Sequence, residues 1–401
     1  MACLAAAAVK FAVRRQPAVL VPPAAPTPRE LKRLSDIDDQ DGLRFHVPII
    51  QFYRRSASLD GRDPSRVIKD AVARALEHYY PFAGRLRELE GRKLAVDCTG
   101  EGVLFVEADA DVRLEHFGDA VRPPFPRVEE LLFDVPGSSA LLDSPLLLFQ
   151  VTRLACGGLT LAVRVQHAMA DGQGMLQFLG AAAELARGAA APTVQPVWRR
   201  ELLTAREPPR PSFAHREYDE VPDNKGSILP PGDVEHRYFF FGPGELAAIR
   251  AQLASCQRSR YTTFEVLSGF VWKLRTMALG PDADEEMRLI CVVSARGDGG
   301  KTPGLRIPRG YYGNSMVLPA AVSRAGDLCA NPFGYAVELV REAKGTVVLR
   351  GLPHFMAVRS FLLTELTKAG FGDLDFGWGR PVYGGPAKVG FGVFLLRQLP
   401  R

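Results

Sequence analysis

The chain has 401 residues, 47% hydrophobic and 24% charged, which is enough for a large buried core and, at ordinary domain sizes, for two domains. Its net charge of +5 is mild and its Lys and Arg do not run together with interleaved aromatics, which excludes a nucleic-acid partner and leaves room for a small anionic ligand. No apolar run approaches the length that crosses a bilayer, and the six scattered cysteines form no CxxC pair; this argues for reduced thiols in a cytoplasmic protein, against a disulfide framework or a metal site.

The opening MACLAAAAVKFAVRR lacks a basic start and Lys10 interrupts its apolar run, so no cleaved signal is expected. Phe11 to Leu31, rich in Pro and Ala, reads as an extended strand. Leu34 to Gln40 (LSDIDDQ) reads as an acidic turn, and Phe45 to Tyr53 as a second strand. Asp63 and Pro64 suit a helix start, with Val67, Ile68, Ala71, Val72, Ala75, Leu76 and Tyr79 as its apolar side and Pro81 as its stop. A hairpin from Leu146 to Gln166 turns at Cys156, Gly157 and Gly158.

Leu159, Leu161, Val163 and Val165 alternate with Thr160, Arg164 and Gln166, which predicts a strand with one buried face; His167 continues the buried parity. The period then changes. Met175, Phe178, Leu179, Ala182, Leu185 and Ala186 form a helical stripe, opened by Asp171 and Gly172 and ended by Gly188. Prolines and paired charges, including EPPRP, mark 189–233 as a linker between domains at 1–188 and 234–401. The second domain begins with a strand at Arg237 to Phe241 and a helix near Gly244 to Leu253. Thr262 and Glu265 have capping-box spacing for a helix from Thr263 to about Met277, and Leu289 to Val293 is a strand ending in Ser294, Ala295 and Arg296.

A histidine leaving a strand, with a carboxylate four residues later at the turn into a helix, is a place to hold a base; the rival reading is a core histidine beside a helix cap. No GxSxG elbow and no cysteine in a catalytic setting supplies a nucleophile for an acyl-enzyme, so direct transfer with a His base remains.

HAMADG (His167 to Gly172) and DFGWG (Asp375, Phe376, Gly377, Trp378, Gly379) resemble the paired signatures of plant BAHD acyltransferases. Supporting matches are YYPFAGRLR at Tyr79 to Arg87, YYGN at Tyr311 to Asn314, and LSDIDDQ. The resemblance spans nearly the whole chain and is strongest to benzyl alcohol O-benzoyltransferase-like alcohol acyltransferases. It implies an α/β fold of two similar CoA-dependent acyltransferase domains, mixed sheets flanked by helices, with a channel between them. It also implies a monomer without metal or permanently bound cofactor that uses acyl-CoA as co-substrate and acylates, with benzoyl or acetyl, an alcohol of plant secondary metabolism.

By the same resemblance His167 is the general base, and Asp171 turns from the channel to pair with an arginine, for which Arg296 is the candidate. Asp375 to Gly379 shape a loop rather than do chemistry. Thr364 or Thr367 could donate to the oxyanion. The helix start at Thr263, with Lys273 and Arg275, is a candidate for the CoA phosphates, against the rival of an ordinary capped helix. Phe45 and His46 are candidates for acceptor contacts, against the rival of plain strand residues.

The chain departs from the family twice. It stops at Arg401 with FGVFLLRQLPR, and REAKGTVVLRGLP between Arg341 and Pro353 joins segments that relatives separate by most of a helix. The second expectation is therefore a truncated, catalytically poor product with ligand-binding or regulatory roles.

Overall fold

A seven-stranded mixed sheet carries the histidine strand near its middle. Leu159–Gln166 lies antiparallel between His46–Tyr53 and Leu147–Leu154; beyond the latter come Val103–Ala110, parallel to it, and then Val13–Arg15 and Val19–Val21. The computed structural model describes residues 3–4, 9–118, 121–134, 141–205, 208, 238–296, 306–345, 360–366, 369–388 and 393–395.

The helices Pro64–His78 and Gly172–Ala186 cover one face of this sheet. Asp63 caps the first by accepting from Ser65 N. Their apolar stripes meet Leu159, Leu161, Val163 and Val165 in the main core. The other face is covered too: Ala162 joins Ile50, Phe52, Phe117, Phe125 and Tyr383, and Thr160 and Gln166 are buried. The expected solvent face of this strand is thus a second interior, because the segment from Val112 to Leu132 closes over it, which no local alternation reveals.

The second sheet runs Ala320–Arg324, Glu286–Cys291, Ser360–Glu365 and Val393–Leu395, with the first pair antiparallel and the other two parallel. Thr263–Leu279 and Phe333–Gly345 pack on it around Trp272, Leu289, Cys291, Val340 and Leu363. Pro243–Ala251 docks on the same two helices through Ile249.

Three expectations need correction. The opening stretch is not one strand: Val13–Arg15 and Val19–Val21 join the large sheet, while Leu31–Arg33 pairs with Leu94–Asp97 in a separate three-stranded sheet. Prolines at 17, 22, 23, 26 and 28 remove ladder donors and break it up. The linker does not begin at 189. Arg74 donates to the Leu185 and Ala189 carbonyls, Val197 bridges to Tyr311 and Arg200 is buried, so 189–205 is packed structure; 209–237 lies outside the described residues.

Nor does DFGWG belong to the second core. Phe371, Leu374, Phe376 and Trp378 lie in the main core, and Tyr383–Pro386 pairs antiparallel with His46–Tyr53. That pairing covers a strand edge that would otherwise be left open. Of the two departures near the C-terminus, 346–359 lies outside the described residues, and of the closing segment only Val393–Leu395 lies within them. Among the described residues no helix is long and apolar enough to cross a membrane. Cys98, Cys156, Cys256, Cys291 and Cys329 are free thiols.

Candidate active site

The histidine strand stops one residue before the base. Gln166 still pairs with His46, and His167 N donates to the Phe45 carbonyl (2.9 Å), so the position of His167 is set by the last rung of the ladder. The chain then turns through 168–170 and enters the helix at Gly172. The His167 ring meets Phe45 edge-on, with centroids 5.4 Å apart. Its Nδ1 is buried and has no partner at hydrogen-bond geometry among the described residues. Burial pushes the imidazole below its ordinary pKa, only partly opposed by its own carbonyl, the Asp171 charge and Asn314. A neutral imidazole near pH 7 is the form a base needs.

Asp171 is fully engaged elsewhere. Its Oδ1 caps the helix by accepting from Gly174 N (2.9 Å), and its Oδ2 accepts from Arg296 Nη1 (2.6 Å) and Ser315 N (3.0 Å). Arg296 also donates to the Gly313 carbonyl and lies against the Tyr311 ring. The carboxylate therefore ties the start of the Gly172 helix to the segment around 313–315. Asp171→Asn keeps the cap acceptor and loses the charge. It is expected to destabilise the fold by about 1.5–3 kcal/mol, the usual worth of a hydrogen bond to a charged group, measured as a shift in denaturant midpoint.

Three residues that the sequence does not mark as site residues hold the other side of the turn. Asn314 Nδ2 donates to the His167 carbonyl (2.7 Å) and to Asp38 Oδ1 (2.9 Å). Arg200 donates to both oxygens of Asp38 and to the Met169 carbonyl, each at 2.8 Å. Asp38 and Asn314 lie inside motifs quoted only for their resemblance, LSDIDDQ and YYGN. Arg200 lies in the stretch read as linker, where nothing local marks it. Gly313 is required by this packing: a Cβ there would come within 1.6 Å of Arg200 Nη1.

The DFGWG loop is built by its aspartate. Asp375 Oδ1 accepts from Gly377 N (2.7 Å) and Gly379 N (2.9 Å), with φ of +110° and +83° at the two glycines, a geometry L side chains rarely adopt. Arg187, at the end of the Gly172 helix, donates to the Asp375 carbonyl, and Tyr53 Oη donates to the Leu374 carbonyl (2.9 Å). The motif thus locks the far end of the helix that follows the base.

The expected phosphate cradle is not formed. Lys273 Nζ directs its donors to the carbonyls of Leu328, Cys329 and Asn331 (2.7–2.8 Å). The helix start at Thr263 is closed by the Thr262–Glu265 capping box, and the Thr263 hydroxyl accepts from Arg250. Glu265, held by Lys344, also places a negative charge where an anion would have to sit. Arg275 lies over the Phe361 ring, 4.9 Å from its centroid. The rival reading, an ordinary capped helix, is the one that stands.

Phe45 is exposed beside the base, whereas His46 is half-buried in the ladder with its Nε2 unpartnered among the described residues. Thr364 sits in the second sheet opposite Phe394, and Thr367 lies outside the described residues. Among the described residues no group of three or more His, Cys, Asp or Glu could hold a metal ion.

The Transferase family matches the chain over residues 11–356. Benzyl alcohol O-benzoyltransferase of Petunia hybrida is 54% identical over 399 residues, covering 96% of this chain and 85% of that protein. The Nicotiana tabacum protein of the same name is 55% identical over 395 residues, with the same coverage. Alcohol acyl transferase 2 of Malus domestica is 49% identical over 394 residues, covering 94% and 85%. Among solved structures, vinorine synthase aligns with a TM-score of 0.72 at 22% identity, covering 96% of this chain and 91% of that one. The F. sporotrichioides TRI101 complex with coenzyme A and T-2 aligns with a TM-score of 0.62 at 18% identity, covering 92% and 91%. These two share the fold. With a family match across most of its length and relatives above half identity, the chain belongs to the Transferase family, the BAHD acyltransferases.

Proposed function

We propose that the protein moves an acyl group, benzoyl or acetyl, from acyl-CoA to the hydroxyl of a small alcohol, with His167 as general base and without an acylated enzyme. The acceptor hydroxyl gives its proton to Nε2, the ring nitrogen opposite the buried Nδ1, and its oxygen attacks the thioester carbonyl. The tetrahedral oxyanion collapses, the C–S bond breaks, and the proton passes from His167 to the departing CoA thiolate. Ester and free CoA are the products.

The observation that carries this reading is the fully committed Asp171. Its carboxylate is taken by Arg296, Ser315 N and Gly174 N, which leaves His167 a lone base rather than part of a nucleophile relay. The exposed Phe45 ring beside it suits a flat aromatic group on donor or acceptor. The names of the relatives point the same way, to alcohols as acceptors. Coenzyme A is bound in a structural neighbour, which supports acyl-CoA as co-substrate. In this reading the enzyme is a cytoplasmic monomer of two bodies.

The test is thiol release from benzoyl-CoA and acetyl-CoA against benzyl alcohol, aliphatic alcohols and amines. Reaction with amines alone, or an acyl group trapped on a side chain by mass spectrometry, defeats it. The pH profile follows from the burial of the base. The imidazole pKa is lowered from 6.5, so the neutral form is already dominant at mildly acidic pH. The acid limb of kcat/KM is therefore expected to have its midpoint below 6.5, with the rate rising through it and flat above.

A further inference from the structure

The turn that carries the base is gripped at two of its carbonyls by Asn314 and Arg200, from two remote parts of the chain, with Asp38 from a third joining them behind it. Asp38 and Asn314 are fully buried and Arg200 is 2% exposed. Asp38 accepts from Arg200 Nη1, Asn314 N, Asn314 Nδ2, Ser35 N and Ser35 Oγ, so its carboxylate is saturated. The Arg200 guanidinium is boxed by the rings of Trp198, Tyr311 and Tyr312 at 4.4, 5.4 and 5.2 Å. From this rigid platform Asn314 reaches the His167 carbonyl and Arg200 reaches the Met169 carbonyl.

We propose that Asp38, Arg200 and Asn314 are positioning residues for the acyl-transfer step: they fix the His167–Ala168 and Met169–Ala170 peptide planes and so set the direction of the His167 imidazole. The inference rests on His167 being the base. Two features favour a geometric role over a merely stabilising one. A buried ion pair adds little net stability over apolar residues of similar size, because desolvation of both charges offsets their attraction. In addition, the contacts of the platform with the turn are to main-chain oxygens, which determine where the Cα–Cβ bond of His167 points. Asp171 with Arg296 holds the helix end of the same turn, so the two clamps divide it between them.

The experiment compares the parent enzyme with Asn314→Ala, Arg200→Ala and His167→Ala in steady-state kinetics with benzoyl-CoA and benzyl alcohol, alongside thermal melts. Asn314→Ala, which removes one side-chain amide, is expected to lower kcat by about 10- to 100-fold, the scale of a misplacement near 1 Å, with both KM values within about twofold. Millimolar guanidinium chloride is expected to restore part of the kcat of Arg200→Ala, while ethylammonium is not, because the planar fork alone can serve Asp38 and the Met169 carbonyl together. Should Arg200→Ala fail to fold, Asn314→Ala decides. A folded Asn314→Ala with kcat within twofold of the parent overturns the inference. So does a loss that appears in KM instead, or one that merely follows the unfolded fraction. His167→Ala separates the two levels. If it is as active as the parent, the base assignment and this inference fall together; if it is inactive while Asn314→Ala keeps the parental kcat, the inference alone falls.

Discussion

His167→Ala is expected to turn over acyl-CoA and alcohol about a hundred- to ten-thousand-fold more slowly than the parent, the usual contribution of a positioned general base. Thermal stability and KM for the acyl-CoA are expected to stay near the parental values. The physical basis lies in what the ring does and does not contact. Its ring meets the exposed Phe45 edge-on and, apart from the attraction of its own carbonyl and of Asn314, its Nδ1 makes no hydrogen bond of normal geometry among the described residues, so truncation removes a proton acceptor at little cost to the fold. The neighbouring hydrogen bonds to the turn run through the main chain, which alanine retains. Steady-state rates at pH 7 for the purified variant, with a melt to establish folding, check this. A variant within tenfold of the parent would remove His167 from the reaction.

Asp38→Ala is expected to be the most damaging single change to the fold, by about 3–5 kcal/mol, because it strands the Arg200 charge in the interior. The pocket around Arg200 is closed by Trp198, Tyr311 and Tyr312, so water has little room to replace the carboxylate. The Asn314 and Ser35 donors lose their acceptor at the same time. Asp38→Ala combined with Arg200→Met removes both charges and is expected to recover a large part of the loss, since desolvation of the pair no longer opposes folding. Denaturant melts of the two singles and the double close this cycle. A double variant no more stable than Asp38→Ala would assign the damage to lost packing rather than to charge.

Much of the local structure was legible. The Asp63 and Pro64 start, the stripe to Tyr79, the switch of period after His167 and the Thr262 to Glu265 capping box each appear at or close to the expected place. Such signals depend on residues within a few positions of one another. The site was legible in part. His167 and Asp171 are marked by their place between a strand and a helix, and the family resemblance points to Arg296, which lies 2.6 Å from Asp171. Lys273 and Arg275 lie in the second half of the Thr263–Leu279 helix, about 15 Å or more from its start, and nothing in the linear pattern says which carbonyls or rings their side chains will find.

By itself, the sequence determined the Pro64, Gly172 and Thr263 helices and the strand that leads to the histidine, because capping, proline placement and apolar period act over one or two turns of chain. Only the tertiary structure decided that the histidine strand is covered on both faces, that Tyr383–Pro386 returns to the first sheet, and that Asp38, Arg200 and Asn314 meet behind the base. Those outcomes depend on contacts between residues from tens to hundreds of positions apart. Their energies come from burial and charge pairing, which a linear pattern does not encode.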